Sequence, residues 1–576
     1  MTQTDTDRQP DAASIATPKR WRARASWIVD SDVLAARVHA HALAHRIGLS
    51  AVFSLETAHD MDSADMLDFL ATDPHTQSVF LVVSGIDSPA RWMSAARACT
   101  RLKPVFAWCV RPVHTDTDAN NGTDANTDTY AAAIDRTGFV LADNIEQLLE
   151  WSELAEAQGL HVGALIERYR ARMARLMAMP PLPSQDVRGL REAHARAQQR
   201  VDRLLVHAAQ GHDWLEPHDA QALLGDFGLH VTSAQPADGV VQDAQRCVIE
   251  VAIQDDPTFG AYMTITAPGS PGVAHLLPVD TALVFDTLEA MTRDTARGEV
   301  GEVRDAVAVR DPAEGCERDD RREAQRPLAS AAYSLERLSS MICGEPRIAA
   351  CTTRLVASDR ACVFEDVRIR ISPAARENPL AIAPFSIDVE TVRHRPLSIE
   401  PYPFDVEETI DWVGTALTFR PIRPEDEPLI ADLFRAQSPE DLYLRFFSMQ
   451  RAPDHARLAR LVRIDYAREM AIVACSGSAA ELVVHGVARA VSEPSGESAE
   501  FAVAIRSDEK GHHLGRLLMD RLIAYCRQHG MARLDGIVLK ENHRMLALAQ
   551  DCGFERRAND DPTLWSIVLE LHPKTA

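Results

Sequence analysis

The 576-residue sequence lacks several features that would mark a membrane, secreted or nucleic-acid-binding protein. No apolar run approaches the length of a membrane span, and the N-terminus has no apolar signal core. The ten cysteines include no CxxC pair, which argues against a zinc ribbon or a disulfide framework. A formal charge of −23 opposes broad nucleic-acid binding, although it does not exclude a local basic groove. These absences predict a cytoplasmic protein that contacts neither membrane nor nucleic acid.

Alternating strand and helix patterns fill the first third of the chain after a polar stretch, 1–22, that we expect to be disordered. Apolar residues make up 46% of the sequence, so each of three or four domains can bury a core. Strands are predicted at 26–29, 49–55, 78–83 and 104–110, with helices at 33–46, 63–72 and 89–102 between them. This alternation predicts a multidomain α/β protein that begins with a doubly wound parallel sheet.

The stretch 498–554 carries the strongest functional pattern. Residues 499–505 alternate as a strand, a polar turn with two glycines follows at 510–515, and a leucine-rich helix then runs to about Gly530. A second strand, 534–539, leads into a helix over 542–550. Because the first amides of a helix lack internal partners and glycine admits close approach, such a turn can hold a phosphate. An ordinary strand–turn–helix has the same pattern, so the turn alone is not specific.

Further residues give this stretch a family resemblance. Residues 510–515, KGHHLG, resemble the acyl-CoA pyrophosphate loop of GNAT N-acetyltransferases, and Glu541-Asn542 with Gly553-Phe554 resemble their second CoA-binding segment. The earlier stretches 417–426, 438–447 and 464–470 are similar to protein lysine acetyltransferases of the Pat type. In that family the GNAT domain is fused to a relative of the NDP-forming acyl-CoA synthetases. The resemblance implies a mixed α/β GNAT domain over residues 415–573 that uses acetyl-CoA as cosubstrate.

The N-terminal region resembles the succinyl-CoA-ligase-like domain of the same fused family, in segments 48–54, 65–74, 95–104 and 130–138. This implies a flavodoxin-like parallel sheet over residues 23–176. Family members usually begin with a further CoA-binding domain, which we expect to be missing here. Active relatives phosphorylate a histidine in the loop before Tyr130. Here the loop is a Thr/Asp/Asn run, and His114 lies too far from Tyr130, so we predict an ordinary loop histidine.

Residues 185–375 resemble a reduced ATP-grasp-like domain, with a charged insert at 296–326 that we predict to be a solvated linker or a disordered insert. A Pro-rich bridge, 376–414, follows. The segment between Leu229 and Val248 holds no lysine for a nucleotide, and residues 266–272 replace the expected Gly-Gly pair and metal-binding Glu. Because little remains to neutralise a triphosphate, we expect neither ATP use nor a bound metal. EF-hand spacing is also absent from the Asp/Asn run.

The GNAT resemblance implies roles for individual residues. Glu500 would be the catalytic base for the acceptor amine, although a surface carboxylate at a strand edge explains it too, and Glu497 and Glu493 are less well placed rivals. The residues implied to bind the cosubstrate are Val503, Ile505, Lys510, Gly511, His512, His513, Leu514, Gly515 and Asn542.

Three positions in this set raise specific expectations. Asn542 is also expected to cap a helix. His513 replaces a usual glycine, and its β-carbon is acceptable there only at negative φ. Ala549 stands where many GNAT enzymes have a tyrosine acid, so thiolate release would need water or another donor.

Three functions compete. The first is a protein lysine acetyltransferase whose N-terminal part regulates it or docks the substrate, with an AMP-forming acyl-CoA synthetase as the implied partner; a small-molecule acetyltransferase is a variant of it. The second is an active NDP-forming acyl-CoA synthetase, and the third a non-catalytic acyl-CoA sensor. The sequence sets neither the acceptor nor the oligomeric state.

Overall fold

We describe the protein from a computed structural model of the chain. The described residues are 25–56, 61–86, 88–110, 129–156, 160–176, 190–208, 214–232, 247–268, 270–298, 317–358, 362–372, 397–447, 453–477 and 481–572. The chain divides into two compact units. The first comprises residues 1–85, 102–112 and 139–169, and the second residues 86–101, 113–138 and 170–576, each as far as it is described.

The elements, numbered in chain order, are fifteen helices and eighteen strands within the described residues. The helices are α1 (Asp32–His45), α2 (Ser63–Thr72), α3 (Pro89–Leu102), α4 (Thr129–Thr137), α5 (Ile145–Glu156), α6 (Leu160–Leu176), α7 (Leu190–Ala208), α8 (Pro217–Asp226), α9 (Thr281–Gly298), α10 (Glu317–Gly344), α11 (Glu427–Arg435), α12 (Pro439–Phe446), α13 (His455–Val462), α14 (Leu514–Gln528) and α15 (His543–Asp551). The strands are β1 (Ala25–Val29), β2 (Leu49–Ser54), β3 (Ser78–Val83), β4 (Val105–Cys109), β5 (Val140–Leu141), β6 (Cys247–Asp256), β7 (Gly260–Thr266), β8 (Val273–Leu276), β9 (Ile348–Ala357), β10 (Cys362–Ile371), β11 (Glu408–Trp412), β12 (Thr415–Pro421), β13 (Glu469–Ser476), β14 (Val483–Ser492), β15 (Ser498–Ile505), β16 (Arg533–Leu539), β17 (Glu555–Ala558) and β18 (Leu564–Glu570).

The first unit is built on a parallel sheet with the strand order β2–β1–β3–β4–β5. Strands β1 and β3 are buried along their whole length, which explains their continuous apolar sequence. Trp27, Phe80 and Phe106 stack in series across them, with ring centroids 5.0 and 5.2 Å apart. The predicted parallel α/β sheet is therefore confirmed.

The middle of the chain forms an antiparallel sheet with the order β10–β9–β6–β7–β8 in the second unit. Helices α7 to α10 contribute apolar side chains to the same core, among them Leu335 and Met341 of α10 beside Phe364 of β10. The strand pair predicted within 248–265 is the hairpin β6–β7. The likeness of this part to an ATP-grasp domain stays a prediction.

The C-terminal part of the second unit is an eight-stranded mixed sheet with the order β11–β12–β13–β14–β15–β16–β18–β17. Every neighbouring pair is antiparallel except β15 and β16, which are parallel. Helix α14 packs its leucine stripe on one face, with Leu514, Leu518 and Leu522 buried. Helices α11 and α13 pack on the other face. The mixed α/β sheet predicted for this region is confirmed.

Helix α3 is part of the second unit up to Arg101, although its sequence lies inside the predicted ligase-like domain. It contacts the segment that precedes β13. Ser94 Oγ donates to Asp465 Oδ2 at 2.7 Å, and Arg97 Nη1 lies 3.7 Å from Asp465 Oδ1. Asp465 is buried there.

Helix α10 departs from expectation, because it begins at Glu317 inside the segment 296–326 predicted as a solvated linker. Its first residues, ERDDRREAQR, include Glu, Arg, Ala and Gln, which are strong helix formers. Their mixed charge had indicated a solvated linker instead. Residues 296–298 of that insert are the end of α9, and residues 299–316 lie outside the described residues, as do His114 with its loop and most of the Pro-rich bridge. No helix in the described part of the chain combines the length and apolar character that crossing a membrane requires.

Candidate active site

A gap between β15 and β16 lies at the centre of the C-terminal sheet. Their parallel pairing starts at Ser498 opposite Arg533 and ends at Glu500 opposite Asp535. Beyond that point β15 continues to Ile505 and β16 to Leu539, each still paired on its other side. The pairing of β15 with β16 therefore ends partway along both strands. Beyond Glu500 and Asp535, the backbone edges of the two strands face each other without the pairing described for their first residues.

The backbone amides of Val503 and Ile505 point into this gap. Beyond the end of β15, the amide of Arg506 donates to the His485 carbonyl at 2.9 Å, on the side of β14. Antiparallel partners exchange hydrogen bonds at every second residue, so the even-numbered residues of β15 bond to β14. The odd-numbered residues face β16 instead, as the Glu497 carbonyl does in accepting from the amides of Ala532 and Arg533 at the start of β16. The gap thus presents donors of the kind that polarise a carbonyl.

Glu500 lies where the gap opens, and its side chain is exposed. Ala499 and Phe501 are buried in the core beneath α14, so strand alternation directs Glu500 to the opposite face of the sheet. Arg445 of α12 lies within electrostatic reach. Burial and the nearby Arg489 lower the pKa of Arg445, whereas Glu500 raises it. A carboxylate with free access to solvent thus stands at the entrance of the gap, beside a cation.

The loop after β15 is held in place by α12. Lys510 Nζ pairs with Asp441 Oδ1, and Ser507 Oγ donates to Asp441 Oδ2. The amide of Ser438 donates to Ser507 Oγ at 2.8 Å. Burial raises the pKa of Asp441, but its bonds to Lys510, Ser507 and Ser438 outweigh this and hold that pKa below its usual value. The Lys510 ammonium is therefore partly neutralised by a carboxylate of the protein itself.

His512 and His513 complete the turn into α14. The Trp412 indole donates to the His512 carbonyl at 3.2 Å. His513 has φ 61° and ψ 10°, so the negative φ that was set as the condition for a β-carbon at this position is not met. Gly511 before it has φ 91°. Two residues in left-handed conformations reverse the chain here, and histidine tolerates this region better than most residues with a β-carbon.

The first turn of α14 follows directly. The amides of Leu514 and Gly515 precede the first intrahelical bonds, which Arg516 and Leu517 make to the His513 carbonyl at 3.1 Å. A β-carbon on Gly515 would lie 2.9 Å from Ile505 Cδ1. The glycine therefore lets the helix pack closely on the strand that borders the gap.

Asn542 caps α15, because its side chain accepts from the Met545 amide at 3.1 Å. The capping role expected of it is confirmed, and its role toward a cosubstrate stays a prediction. Ala549 of the same helix is buried. Since alanine has no proton to donate, this position supplies no acid to a leaving thiolate.

Several contacts of the site could not be predicted from the sequence. Asp441 lies 69 positions before its partner Lys510, and Trp412 lies 100 positions before His512. His485 Nδ1 lies 3.2 Å from Glu509 Oε1 and adds another support to the loop. Such pairs carry no local periodicity, so only the packing of the elements brings them together.

Comparison with protein families supports the two-part organisation. Residues 22–155 match the succinyl-CoA ligase like flavodoxin domain, and residues 436–554 match the acetyltransferase (GNAT) family. The second match contains β15, the loop, α14 and the Asn542 cap. The chain therefore joins a succinyl-CoA-ligase-like domain to a C-terminal GNAT acetyltransferase domain, as the sequence predicted.

A curated relative agrees with the first match. The chain is 28% identical over 145 residues to the alpha subunit of ADP-forming acetate–CoA ligase I from Pyrococcus furiosus. That match covers 23% of this chain and 31% of the relative, so the chain spans about a third of the relative's length.

Two solved acetyltransferase structures resemble part of the chain. The GNAT domain of S. lividans PAT is 19% identical, with 30% of this chain and 99% of that chain covered and a TM-score of 0.28. An acetyltransferase from Thermus thermophilus is 27% identical, with coverages of 27% and 96% and a TM-score of 0.23. Scores this low support no functional argument, so the assignment of this domain rests on the family match.

Proposed function

We propose that this protein is an acetyl-CoA-dependent N-acetyltransferase that acts on a lysine of a protein. The observation that supports the proposal most directly is the gap between β15 and β16. It combines inward-facing amides at Val503 and Ile505, an exposed carboxylate at Glu500 and a helix N-terminus at Leu514. For a CoA thioester, the inward-facing amides would bind the reacting carbonyl, Glu500 would accept the acceptor's proton, and the helix N-terminus would bind the phosphates of the tail.

The phosphates of the cosubstrate would lie against the loop and the first turn of α14. The amides of Leu514 and Gly515 lie at the positive end of the helix dipole, where an anion is stabilised. Lys510 is engaged with Asp441, so most of the attraction comes from backbone amides rather than from a free ammonium. The pantetheine arm would then follow the edge of β15 toward Glu500.

The transfer itself needs few groups. An acceptor lysine, with a reference pKa of ~10.4, first loses a proton to Glu500 directly or through water. Its nitrogen attacks the thioester carbonyl, whose oxygen gains charge and accepts from the inward-facing amides. The C–N bond forms and the C–S bond breaks. The nitrogen gives its second proton to water, and CoA leaves as a thiolate that takes a proton from water, since Ala549 cannot provide one.

The acceptor is proposed to be a globular protein, such as an AMP-forming acyl-CoA synthetase with a reactive lysine. An exposed base at the mouth of a gap is accessible to a side chain presented by another protein. The long ligase-like region would then regulate the enzyme or dock the acceptor, rather than use ATP. This division of labour would account for a chain in which the acetyltransferase domain is the minor part.

The decisive experiment measures acetyl transfer from labelled acetyl-CoA to an acetyl-CoA synthetase. The wild-type protein should transfer label, and Glu500→Gln should lower kcat by roughly 10²–10⁴-fold, the usual contribution of a general base. Acetyl-CoA binding, measured by calorimetry, should be nearly unchanged because Glu500 is not expected to contact the cosubstrate.

The matched control is Glu497→Gln, which changes an exposed glutamate on the same segment and should retain activity. Equal losses in the two variants would remove Glu500 from its role. If the wild type binds acetyl-CoA without any transfer, the protein is an acyl-CoA sensor or serves another acceptor, and the proposed function fails.

A second candidate, an NDP-forming acyl-CoA synthetase, is favoured by the likeness to the ADP-forming acetate–CoA ligase subunit. It requires ATP formation from acetyl-CoA, ADP and phosphate by the same preparation. ATP formation that survives Glu500→Gln would establish this activity in the ligase-like region.

A further inference from the structure

Two histidines and a glutamate meet on the surface of the first unit, whereas the acetyltransferase site belongs to the second. His41 and His45 lie one turn apart on α1, and Glu153 lies on α5. His41 Nε2 is 2.8 Å and His45 Nδ1 is 3.1 Å from the same Glu153 oxygen, Oε1. The three donor atoms all lie within 4.8 Å of one another.

The contact between His41 and Glu153 is not an ordinary hydrogen bond. His41 Nε2 is shielded from solvent and has no aligned hydrogen-bond partner, although the carboxylate oxygen is only 2.8 Å away. The His41 and His45 rings stack with centroids 4.4 Å apart, so their nitrogens converge on the same carboxylate. A buried polar nitrogen without an aligned partner is costly unless another group satisfies it.

The distances between the two histidine nitrogens and the Glu153 oxygen suit a metal ion bound between them, in the position that a hydrogen-bonding proton would otherwise occupy. Zinc binds imidazole nitrogen at about 2.0–2.1 Å and carboxylate oxygen at about 2.0–2.2 Å, so tetrahedral ligands lie roughly 3.3 Å apart. The two nitrogen–oxygen distances here are slightly shorter, and small side-chain rotations would open them. Histidines at positions i and i+4 of a helix, joined by one carboxylate, are a common donor set for such ions.

The two helices hold these donors in place. Arg37 Nη2, one turn before His41, donates to Glu146 Oε1 at 2.6 Å, and Glu146 lies on α5 two turns before Glu153. A row at positions 37, 41 and 45 of α1 therefore faces a row on α5. A metal ion bound by His41, His45 and Glu153 would hold α1 and α5 together at a second point, beside the Arg37–Glu146 ion pair.

We propose that His41, His45 and Glu153 bind a divalent first-row transition metal ion, Zn²⁺ foremost, with water as the remaining ligand. The site is structural, since it bridges α1 and α5, and it takes no part in the proposed acetyl transfer. The sequence predicted no metal, because it shows neither a cysteine pair nor a calcium loop. The glutamate lies 108 positions after the second histidine, so the cluster forms only in the fold.

The test titrates Co²⁺, a spectroscopic substitute for Zn²⁺, into the chelator-treated full-length protein. Tetrahedral Co²⁺ has a visible absorption band, which Zn²⁺ should abolish by displacement. The wild type should take up one molar equivalent more than His41→Ala, and Zn²⁺ should raise the Tm of the wild type by more than that of the variant.

His39→Ala is the matched control, because His39 is an exposed histidine on the same helix outside the cluster. It should retain the full stoichiometry. Glu153→Gln, which keeps the size of the side chain, decides the outcome if His41→Ala fails to fold. Equal uptake by the wild type, His41→Ala and Glu153→Gln would overturn the proposal, as would an equal loss in His39→Ala.

Discussion

At the scale of single residues, the site depends on an unusual backbone conformation at His513. Its φ of 61° is one that glycine adopts freely and that side chains with a β-carbon resist. Histidine is among the residues that tolerate it, which explains why the turn survives without the usual glycine. The predicted loop therefore keeps its left-handed backbone geometry at His513, although a histidine stands where the glycine is usual.

This conformation leads to a prediction about the loop. His513→Gly should bind acetyl-CoA at least as tightly as the wild type, because the left-handed conformation costs a non-glycine residue roughly 1–2 kcal/mol. His513→Val should raise the KM for acetyl-CoA about tenfold, since a β-branched residue is a strong outlier at positive φ. Steady-state kinetics and calorimetry on the two variants measure both effects.

The two substitutions serve as controls for each other, because both remove the imidazole. A similar loss of affinity in His513→Gly and His513→Val would mean that the imidazole itself contacts the cosubstrate. The backbone explanation would then be wrong.

At the scale of elements, the packing of α14 against β15 decides the shape of the gap. Gly515 lies close to the side chains of Ile505 on β15 and Leu548 on α15. A β-carbon would lie 2.9 Å from Ile505 Cδ1 and 3.3 Å from Leu548 Cδ2. The Ile505 side chain must turn or shift to admit it, and Ile505 is one of the residues whose amide faces the gap.

Gly515→Ala should therefore destabilise the protein by about 1 kcal/mol, because an overpacking cost of about 1–3 kcal/mol is partly offset by the better helix propensity of alanine, and it should raise the KM for acetyl-CoA. Urea unfolding monitored by fluorescence measures the first effect and steady-state kinetics the second.

Gly225→Ala is the matched control. Gly225 lies in α8, and a β-carbon there would meet nothing within 4 Å. This substitution should leave the KM unchanged and stabilise the helix by up to about 1 kcal/mol. A Gly515→Ala protein as stable and active as the control would show that the close approach is unimportant.

At the scale of the whole molecule, a buried charged cluster joins α3 to the acetyltransferase part of the second unit. Asp465 is its centre, with Ser94 and Arg97 of α3 as partners. Burial raises the pKa of Asp465, but Arg97 and the bond from Ser94 outweigh it and hold the pKa below its usual value. The carboxylate is therefore charged and paired at neutral pH.

Asp465→Ala should destabilise the second unit by about 1–3 kcal/mol at neutral pH, because it removes the buried carboxylate that accepts from Ser94 and pairs with the half-buried Arg97. Since the folded pKa of Asp465 lies below its unfolded value, its stabilisation is complete above the unfolded pKa. It is lost as the pH falls through the folded pKa. The difference between wild type and variant in urea unfolding should accordingly shrink in acid.

Asp432→Ala provides the comparison, because Asp432 is an exposed partner of Arg435 and should contribute less than about 0.5 kcal/mol. Comparable small effects in both variants, at every pH, would mean that the contact with α3 does not stabilise the unit.

The sequence by itself determined the features that depend on neighbours along the chain. Helix and strand periods placed β15, α14, β16 and α15 within a residue or two, and the spacing of Gly511, Gly515 and Asn542 indicated the candidate loop and cap. Such patterns are readable because residues two or four positions apart share a face of one element. The strand–helix alternation of the first 110 residues predicted a parallel sheet for the same reason.

Only the tertiary structure decided which distant residues meet. It turned the amides of Val503 and Ile505 toward a gap, paired Lys510 with Asp441, and brought Glu153 to two histidines of α1. It also assigned α3 up to Arg101 to the unit that contains the acetyltransferase domain. These contacts follow from strand order and helix packing, which join segments far apart in the chain and leave no periodic trace in either segment.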